Sequence, residues 1–520
     1  MEPLFNSWYA WPLLIAPETA ALLSAYHLRL LESFVEAPAI HRDAVKRSAL
    51  RGGPFVDYHG EVDRIARLAQ FVKTELAEVL EFADNVKVFA RKLRNEATGS
   101  SLAPFYEQMP AGLRGYVELT YDVTNVASLR FIEPLLYRSR LYRADLQSLA
   151  LSESRGDQRP FALSTPRVDK ASAAHLRLSF DSDCVGALLA ARERPLSREL
   201  LEHTAASHLD PQSDKELLRL LFTPDVPRKS PDRNFAGDGV RVRYFGHATL
   251  LIETRTLSLL TDPIVSYGDP AGPPRYTFAD LPDRIDFVLL THAHQDHVMF
   301  ETLLQLRHKV GAWIVPRSCG GILSDPSLKL LLQAVGFRNV IELDEMETLR
   351  VEGGAITGVP FLGEHGDLHI RAKIAYHLRL GRSTFLILAD SCNLDDTLYA
   401  RVHEHLGDVE QLFIGMECEG APMSWLYGPL MIASLDRKHD QSRRLNGSDA
   451  ERAARIVRRF KPQSVFVYAM GQEPWLKFIS SIEYTQDSAP IRESSQLLKT
   501  CHAEGRESER LYCKRELLYP

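Results

Sequence analysis

Residues 291 to 297 read Thr-His-Ala-His-Gln-Asp-His and place His292, His294, Asp296 and His297 within six positions. The apolar run before them, Phe287-Val288-Leu289-Leu290, has the length and character of a buried strand. A strand end that delivers three imidazoles and a carboxylate to one point is suited to holding metal rather than to lining a solvated loop. Imidazole nitrogen suits zinc, iron and their first-row neighbours, and the adjacent carboxylate allows a second ion. A chain built around this motif needs a strand whose end opens into a protected cleft.

Two further pieces lie upstream. Tyr244-Phe245-Gly246-His247-Ala248-Thr249-Leu250-Leu251-Ile252 reads as a strand entered through a Gly-His turn, and Leu259-Leu260-Thr261-Asp262-Pro263 as a strand ending in Asp-Pro. Strands, Asp-Pro and His-x-His-x-Asp-His in this order resemble the metallo-β-lactamase superfamily, over roughly residues 237 to 475. That resemblance implies an αββα sandwich with metal at the edge between two sheets. It also implies that Asp262 orients the ligand cluster, as carboxylates behind ligating histidines do. A turn residue before proline is the plainer alternative for Asp262. For His247 the reading is a turn or packing residue at the edge of the site.

The bulk properties narrow the class. A chain of 520 residues is long enough for two or three domains, and 45% hydrophobic with 25% charged content is globular. A net charge of −6 lacks the basic footprint of a nucleic-acid binder. The six cysteines, Cys184, Cys319, Cys392, Cys418, Cys501 and Cys513, form no Cys-x-x-Cys pair and fit reduced thiols. The start of the chain lacks the basic segment of a secretory signal, and the apolar stretch Tyr9–Tyr26 is interrupted by Pro12, Pro17 and Glu18. The expectation is a cytoplasmic enzyme that engages neither membrane nor nucleic acid.

The first part of the chain reads differently from the rest. Ile65, Leu68, Val72, Leu76 and Val79 recur at three or four and predict one long amphipathic helix from Val62. A second helix is expected over Lys215–Phe222, ahead of Pro224, and His175–Phe180 alternates like a strand. The segment from Pro224 to Gly239 is rich in Pro, Asp, Arg and Gly and reads as a junction. Residues 1–232 are thus expected to form a helix-rich mixed α/β domain for dimerisation, partner docking or lidding of the site. Residues 233–520 form the metal-binding domain. Within the latter, Ser448 and Glu451 predict a capping box for a helix running to about Lys461. The basic residues Arg437, Lys438, Arg443, Arg444, Arg452 and Arg455 nearby are a solvated face or a dock for an acidic partner.

The chain departs from the zinc hydrolases of the superfamily, which complete a dinuclear site with two more histidines and a bridging aspartate. Phe385-Leu386-Ile387-Leu388-Ala389-Asp390 is a buried strand ending in a carboxylate, and Asp390 is expected to bridge two ions. After the strand Ala355–Pro360 the loop Phe361-Leu362-Gly363-Glu364-His365-Gly366-Asp367 offers Glu364 and His365 side by side. After Ser464-Val465-Phe466-Val467 comes Tyr468-Ala469-Met470, with no histidine between His439 and His502. Losing an imidazole and gaining a carboxylate moves metal preference from zinc towards iron or manganese.

Glu364 and the domain order together resemble a narrower family, the diiron β-hydroxylases of which the chloramphenicol-biosynthesis enzyme is a member. Those enzymes hydroxylate the β-carbon of an amino acid held as a thioester on the carrier domain of a nonribosomal peptide synthetase, L-p-aminophenylalanine in that pathway. The resemblance implies a dioxygen-dependent non-haem diiron monooxygenase with His292, His294, Asp296, His297, Glu364 and Asp390 as iron ligands. Glu364 and Asp390 are its catalytic carboxylates. Dioxygen is then co-substrate. Two electrons come from an external donor, a separate reductase, since the chain carries no flavin or nicotinamide fingerprint. The carrier domain is the partner, and the N-terminal domain is its dock or the contact of a homodimer. Glu417, after the apolar run Leu412-Phe413-Ile414, is read as holding the substrate amine or supporting the ligands, with a structural carboxylate as the alternative. His365 stays open as the rival of Glu364. The competing function is a dinuclear zinc hydrolase of phosphodiesterase or lactonase type, with His365 as ligand.

Overall fold

The computed structural model describes residues 1–47, 50, 53–154, 156–213 and 215–520. Its C-terminal portion is built on two seven-stranded sheets. The strand ahead of the motif, Ile285–Leu289, lies parallel between Ser258–Thr261 and Val310–Pro316. Val340–Leu343 extends that sheet on one side, and Thr249–Glu253, Val240–Gly246 and Arg515–Tyr519 on the other. The second sheet runs Thr348–Val351, Gly354–Val359, Ala375–Leu380, Ser383–Ile387, Gln411–Gly415, Ser464–Tyr468 and Glu507–Arg510.

The sheets face each other across one apolar layer. Leu250, Ile252, Leu289 and Ile314 from the first meet Ile356, Leu378, Phe385, Phe413 and Phe466 from the second. The outer face of the second sheet is covered by helices Asp396–Leu406, Ala450–Phe460 and Ala489–Ala503 through Tyr399, Val402, Ile456, Phe460 and Leu497. Burial on both faces explains why Phe385–Leu388 and Leu412–Ile414 read as unbroken apolar runs. The expected αββα sandwich is present.

The outer face of the first sheet is covered differently. Leu251, Leu260, Val288 and Trp313 share one continuous core with helices Phe300–Leu306 and Leu328–Ala334, and with Leu22, Phe34, Phe82 and Phe89 from the N-terminal portion. That portion contains helices Pro17–Glu36, Val62–Glu75 and Ala77–Glu96. It also has a four-stranded sheet in the order Trp8–Tyr9, Glu2–Phe5, Gln147–Leu151, Ala174–Leu176. Polar clamps reinforce the shared core. The Glu133 carboxylate accepts from the backbone N–H of Gly321 at 2.6 Å and Ser327 at 2.8 Å. Tyr9 and Arg159 both donate to Glu301 Oε2, at 2.9 and 2.7 Å.

Three local expectations are corrected. The long helix from Val62 is two helices that break at Leu76, where the dihedrals leave the helical well. Thr74 Oγ1 bonds back to the carbonyls of Gln70 and Phe71 just before the break, an arrangement that bends helices. The strand expected over His175–Phe180 is only Ala174–Leu176, because its last pairing is a single bridge to Leu209. The helix from Ala450 is capped by Asp449, whose side chain accepts from Arg452 N. Ser448 instead donates to Ser391 O in the loop after Asp390, so there is no capping box with Glu451. Among the described residues no helix is long and apolar enough to cross a membrane.

Glu18 is an unusual passenger in the shared core. It is 1% exposed and its carboxyl oxygens have no hydrogen-bond partner among the described residues. Burial, and then the Glu133 carboxylate, push it up to about 8. A carboxyl that holds its proton more tightly when folded costs stability as pH rises from its unfolded value near 4.5 towards 8. Glu18→Gln is therefore expected to gain stability over the parent increasingly between those two pH values and little below pH 4.5. Urea midpoints measured across that range check this. A gain independent of pH would show that Glu18 does not titrate there.

Candidate functional site

The ends of strands from both sheets converge on one buried point. Strand Ile285–Leu289 delivers His292, His294, Asp296 and His297, and strand Ser383–Ile387 delivers Asp390. The loop after Gly354–Val359 delivers Glu364, and the hairpin turn after Val240–Gly246 delivers His247. His292, His297, His294, Glu364, Asp390 and His247 are all less than 9% exposed. His294 Nδ1 lies 3.0 Å from Glu364 Oε1 and 3.2 Å from His292 Nε2. His297 Nε2 lies 2.9 Å from Asp390 Oδ2 but lacks the alignment of a hydrogen bond. Three overlapping groups have the spacing of metal ligands: His292, His294 and Glu364; His292, His297 and Asp390; His247, Asp296 and His297. His292 and His297, which flank Asp390 in the second group, each also belong to one of the other two.

The outward nitrogen of each motif histidine rests on protein. Thr291 Oγ1 is 3.0 Å from His292 Nδ1, and His294 Nε2 is 3.0 Å from the Tyr427 hydroxyl. His297 Nδ1 donates to Asp262 Oδ2 at 2.9 Å. Such bonds set which nitrogen is free to ligate: Nε2 of His292, Nδ1 of His294 and Nε2 of His297. Asp262 is fully buried and also accepts from Thr291 N at 2.8 Å and Thr291 Oγ1 at 2.6 Å. Its place behind the cluster is more than that of a turn residue. Tyr427 lay outside the sequence reading. No spacing ties a tyrosine in the helix Ser424–Tyr427 to a motif 133 residues away.

The loop of Glu364 is pinned at both ends. Lys373 Nζ donates to Gly363 O at 3.0 Å and Arg443 Nε to Gly366 O at 2.7 Å. Between these clamps Glu364 turns inward with φ 67°. His365 is buried beside it, but its ring packs against His294, with centroids 4.5 Å apart. Glu417 is set back from the ligands: its carboxylate accepts from Glu419 N at 3.0 Å, from Gly420 N at 2.8 Å and from the Tyr484 hydroxyl.

Charge explains what this cluster demands. Burial, followed by Asp390 and Asp296, drives the Glu364 carboxyl well above the usual range. Burial and the neighbouring imidazoles drive His292 well below its usual value. His297 moves the other way, since Asp390 and Asp262 outweigh the burial that lowers it. Three carboxylates this close stay ionised only beside cations. Two divalent ions fit the charge, and a donor set of three carboxylates with three or four imidazoles suits iron.

The chain as a whole is similar to one kind of enzyme. Residues 1–225 match the model of the diiron non-heme beta-hydroxylase N-terminal domain, and residues 258–464 that of the beta-lactamase superfamily domain. The 4-amino-L-phenylalanyl-[CmlP-peptidyl-carrier-protein] 3-hydroxylase of Streptomyces venezuelae is 37% identical over 99% of this chain and 98% of its own. The chain belongs to the diiron non-haem β-hydroxylases. The crystal structure of CmlA, a diiron beta-hydroxylase from Streptomyces venezuelae, superposes with a TM-score of 0.92 at 36% identity, covering 100% of this chain and 98% of that one. Likeness to hydrolases is confined to part of the fold. A UPF0173 metal-dependent hydrolase of Methanopyrus kandleri is 32% identical over only 23% of this chain and 46% of its own. This β-hydroxylase is accordingly an oxygenase that works with two iron ions and dioxygen.

Two substitutions probe the support of the site. Asp262→Asn removes the acceptor of His297 Nδ1–H and is expected to weaken iron binding about 10–100-fold, read by chelator competition on folded protein. An affinity within twofold of the parent would mean that His297 does not depend on Asp262. Gly415→Ala places a Cβ 2.7 Å from Asp390 Oδ1 and 2.6 Å from Ala389 O. It is expected to lower iron content while leaving the far-ultraviolet circular dichroism unchanged.

Proposed function

We propose that the protein hydroxylates the β-carbon of an amino acid carried as a thioester on a nonribosomal peptide synthetase carrier domain. The amino acid is 4-aminophenylalanine, as in the Streptomyces venezuelae relative's name. The observation that carries this is Glu364, aimed at His294 where the hydrolases of the fold place a histidine. It makes the third carboxylate of the set His292, His294, Asp296, His297, Glu364 and Asp390, which we assign as the iron ligands. His292, His294 and Glu364 would hold one ion and Asp296 and His297 the other, with Asp390 beside His292 and His297. When bound, the two irons supply the redox chemistry that activates dioxygen. The balance is R–H + O2 + two electrons + two protons → R–OH + H2O, and the electrons come from a separate reductase.

The residues around the irons have separate tasks in this reading. Asp262, Thr291 and Tyr427 orient the three motif imidazoles. Lys373 and Arg443 hold the loop that points Glu364 inward. Glu417 is the group that receives the substrate amine: burial, opposed by its two backbone donors, places it at about 7. The carrier docks on the side of Arg437 and Lys438, which are exposed at the start of the helix Arg437–Ser442. The same short segment sends Arg443 to the Glu364 loop. We place the boundary between the helix-rich domain, 1–232, and the catalytic domain, 233–520, in the loop ahead of strand Val240–Gly246. A cytoplasmic setting is supported by six cysteines that are all unpaired.

The test is a single turnover. Iron-loaded, chemically reduced enzyme is mixed with a carrier domain bearing 4-amino-L-phenylalanine and exposed to oxygen-18 gas. One labelled oxygen on the carrier-bound amino acid, and none on the free amino acid, is the expected result. No incorporation by protein holding two irons would overturn the proposal. Glu364→His is expected to shift metal preference towards zinc and to abolish incorporation, with metal content read by elemental analysis.

A further inference from the structure

A cleft of about 310 Å³ opens where three parts of the chain meet. Arg192 contributes from the turn after helix Asp183–Ala190, and Arg228, Lys229 and Arg233 from the junction. Tyr267, Phe278 and Asp283 contribute from the segment ahead of strand Ile285–Leu289. The volume is at the lower end of the range for small-molecule sites. Leu281 and Asp283 precede that strand, whereas the His292 motif follows it. This wall is therefore a strand's length, roughly 16 Å, from the motif. The cleft is separate from the iron centre.

Its charge is not balanced by the protein. Among the described residues, Arg192, Arg228, Lys229 and Arg233 line it with two carboxylates, Glu193 and Asp283. Both carboxylates are already engaged. Glu193 accepts from the buried Lys309 Nζ at 2.5 Å. Asp283 is shared by Lys229 Nζ at 3.2 Å and Arg233 Nη2 at 2.9 Å. Arg192 finds only the neutral Gln305 amide oxygen, at 3.0 Å. Arg228 has no hydrogen bond or ion pair among the described residues. Two guanidiniums thus line one cleft with no carboxylate of their own.

The surroundings are set in advance. The Arg192 guanidinium lies over Phe278 and Tyr267, 4.5 and 5.6 Å from their ring centroids. A guanidinium stacked on ring faces keeps its N–H edge free for acceptors in its own plane. The junction is tied down as firmly. Ser230 N donates to Ala279 O at 2.9 Å, and the Arg233 carbonyl accepts from Arg243 Nη2 at 2.8 Å. Asn234 and Asp283 exchange two hydrogen bonds, of 2.9 and 3.1 Å. Arg228 and Lys229 are carried on this anchored backbone, so little ordering is left to be done when a ligand arrives.

We propose that the cleft binds a small phosphorylated molecule through Arg192, Arg228 and Lys229. A phosphate monoester carries about −1.5 to −2 charges near pH 7 and three acceptor oxygens. Two unpaired guanidiniums with a lysine beside them match that group in charge and in donors. The ligand joins the N-terminal half to the junction and to the first sheet, and it takes no part in the oxygen chemistry. The shared chemistry is the phosphate group, free or esterified, and the experiment separates the two.

Full-length, iron-loaded protein is titrated calorimetrically at about 0.15 M salt, where exposed charges are largely screened. The probes are inorganic phosphate and adenosine 5′-monophosphate, with succinate as a dianion without phosphate. One saturable site per chain is expected for a phosphate probe. Adenosine monophosphate at least about 10-fold tighter than inorganic phosphate would identify an ester as the occupant, and equal affinity the free ion. Arg192→Gln and Arg228→Gln should each weaken the site about 10-fold or more, the usual cost of losing a hydrogen bond to a charged group. Arg401→Gln, in the exposed part of helix Asp396–Leu406, should leave it unchanged. Absence of saturable binding by either phosphate probe overturns the proposal. So does succinate binding as tightly as they do, which would mark a mere basic patch. Affinity unchanged in both Arg192→Gln and Arg228→Gln, as binding at the iron would give, overturns it too.

Discussion

Three carboxylates cannot share a buried space without positive charge, and the architecture of this protein follows from that constraint. Glu364, Asp296 and Asp390 repel one another in a largely buried site, so the apoprotein site is electrostatically unsatisfied. Neighbouring cations do not resolve it, since the nearby Lys373 is spent on a backbone carbonyl and is itself pushed below its usual range by burial. Metal ions do, and they bring the six proposed ligands into a single balanced unit. The folding free energy of the site and its iron affinity are then the same quantity seen from two sides.

Holding such a cluster together has a backbone cost. His247, Asp262, Glu364, Ala389 and Ala469, each of them at a strand end or loop around the site, have φ between 32° and 67°. Left-handed backbone in residues other than glycine costs about 1–3 kcal/mol each and persists where the surroundings over-determine it. Here the surroundings are two sheets with buried central strands and a set of side-chain clamps: Tyr376 on the Leu290 carbonyl, the Tyr468 hydroxyl accepting from Ala389 N, Lys373 on Gly363, Arg443 on Gly366. The turns at His247, Asp262, Glu364 and Ala389 each bring one side chain to the site or behind it, from a strand that otherwise only packs. Chemistry and rigidity are divided between the last residue of a strand and those before it.

Much of this was legible in the sequence. The His-x-His-x-Asp-His run, the Asp-Pro after Thr261 and the apolar strand ending in Asp390 are local patterns, and local patterns survive translation into structure. Several of the strands could be read because burial on both faces leaves continuous apolar runs, while their arrangement in two facing sheets came from the resemblance. What escaped reading depends on through-space neighbours. Tyr427 meets His294 only because Ser424–Tyr427 folds over the site. His247 reads as a turn residue in sequence, and it is one; that it also faces Asp296 depends on the crossing of two strands. The capping box at Ser448 failed because the hydroxyl has a better use on Ser391 O, and the helix of Val62 broke where a threonine back-bonded. In each case a side chain had two available partners and tertiary contact chose the less local one.

The shared core has a consequence for how such enzymes can diverge. Phe180 packs on Phe300, Glu133 pins the turn at Gly321, and the same hydrophobic cluster runs from Phe5 to Leu430. The N-terminal half is therefore no detachable module that recombination could exchange for a new one. A graft from another lineage would meet foreign side chains across the outer face of the first sheet and lose the close packing that supports it. Change in one half has to be matched by change in the other. The two halves are bound to evolve as one inherited unit, with variation confined to the rim where the surfaces do not touch.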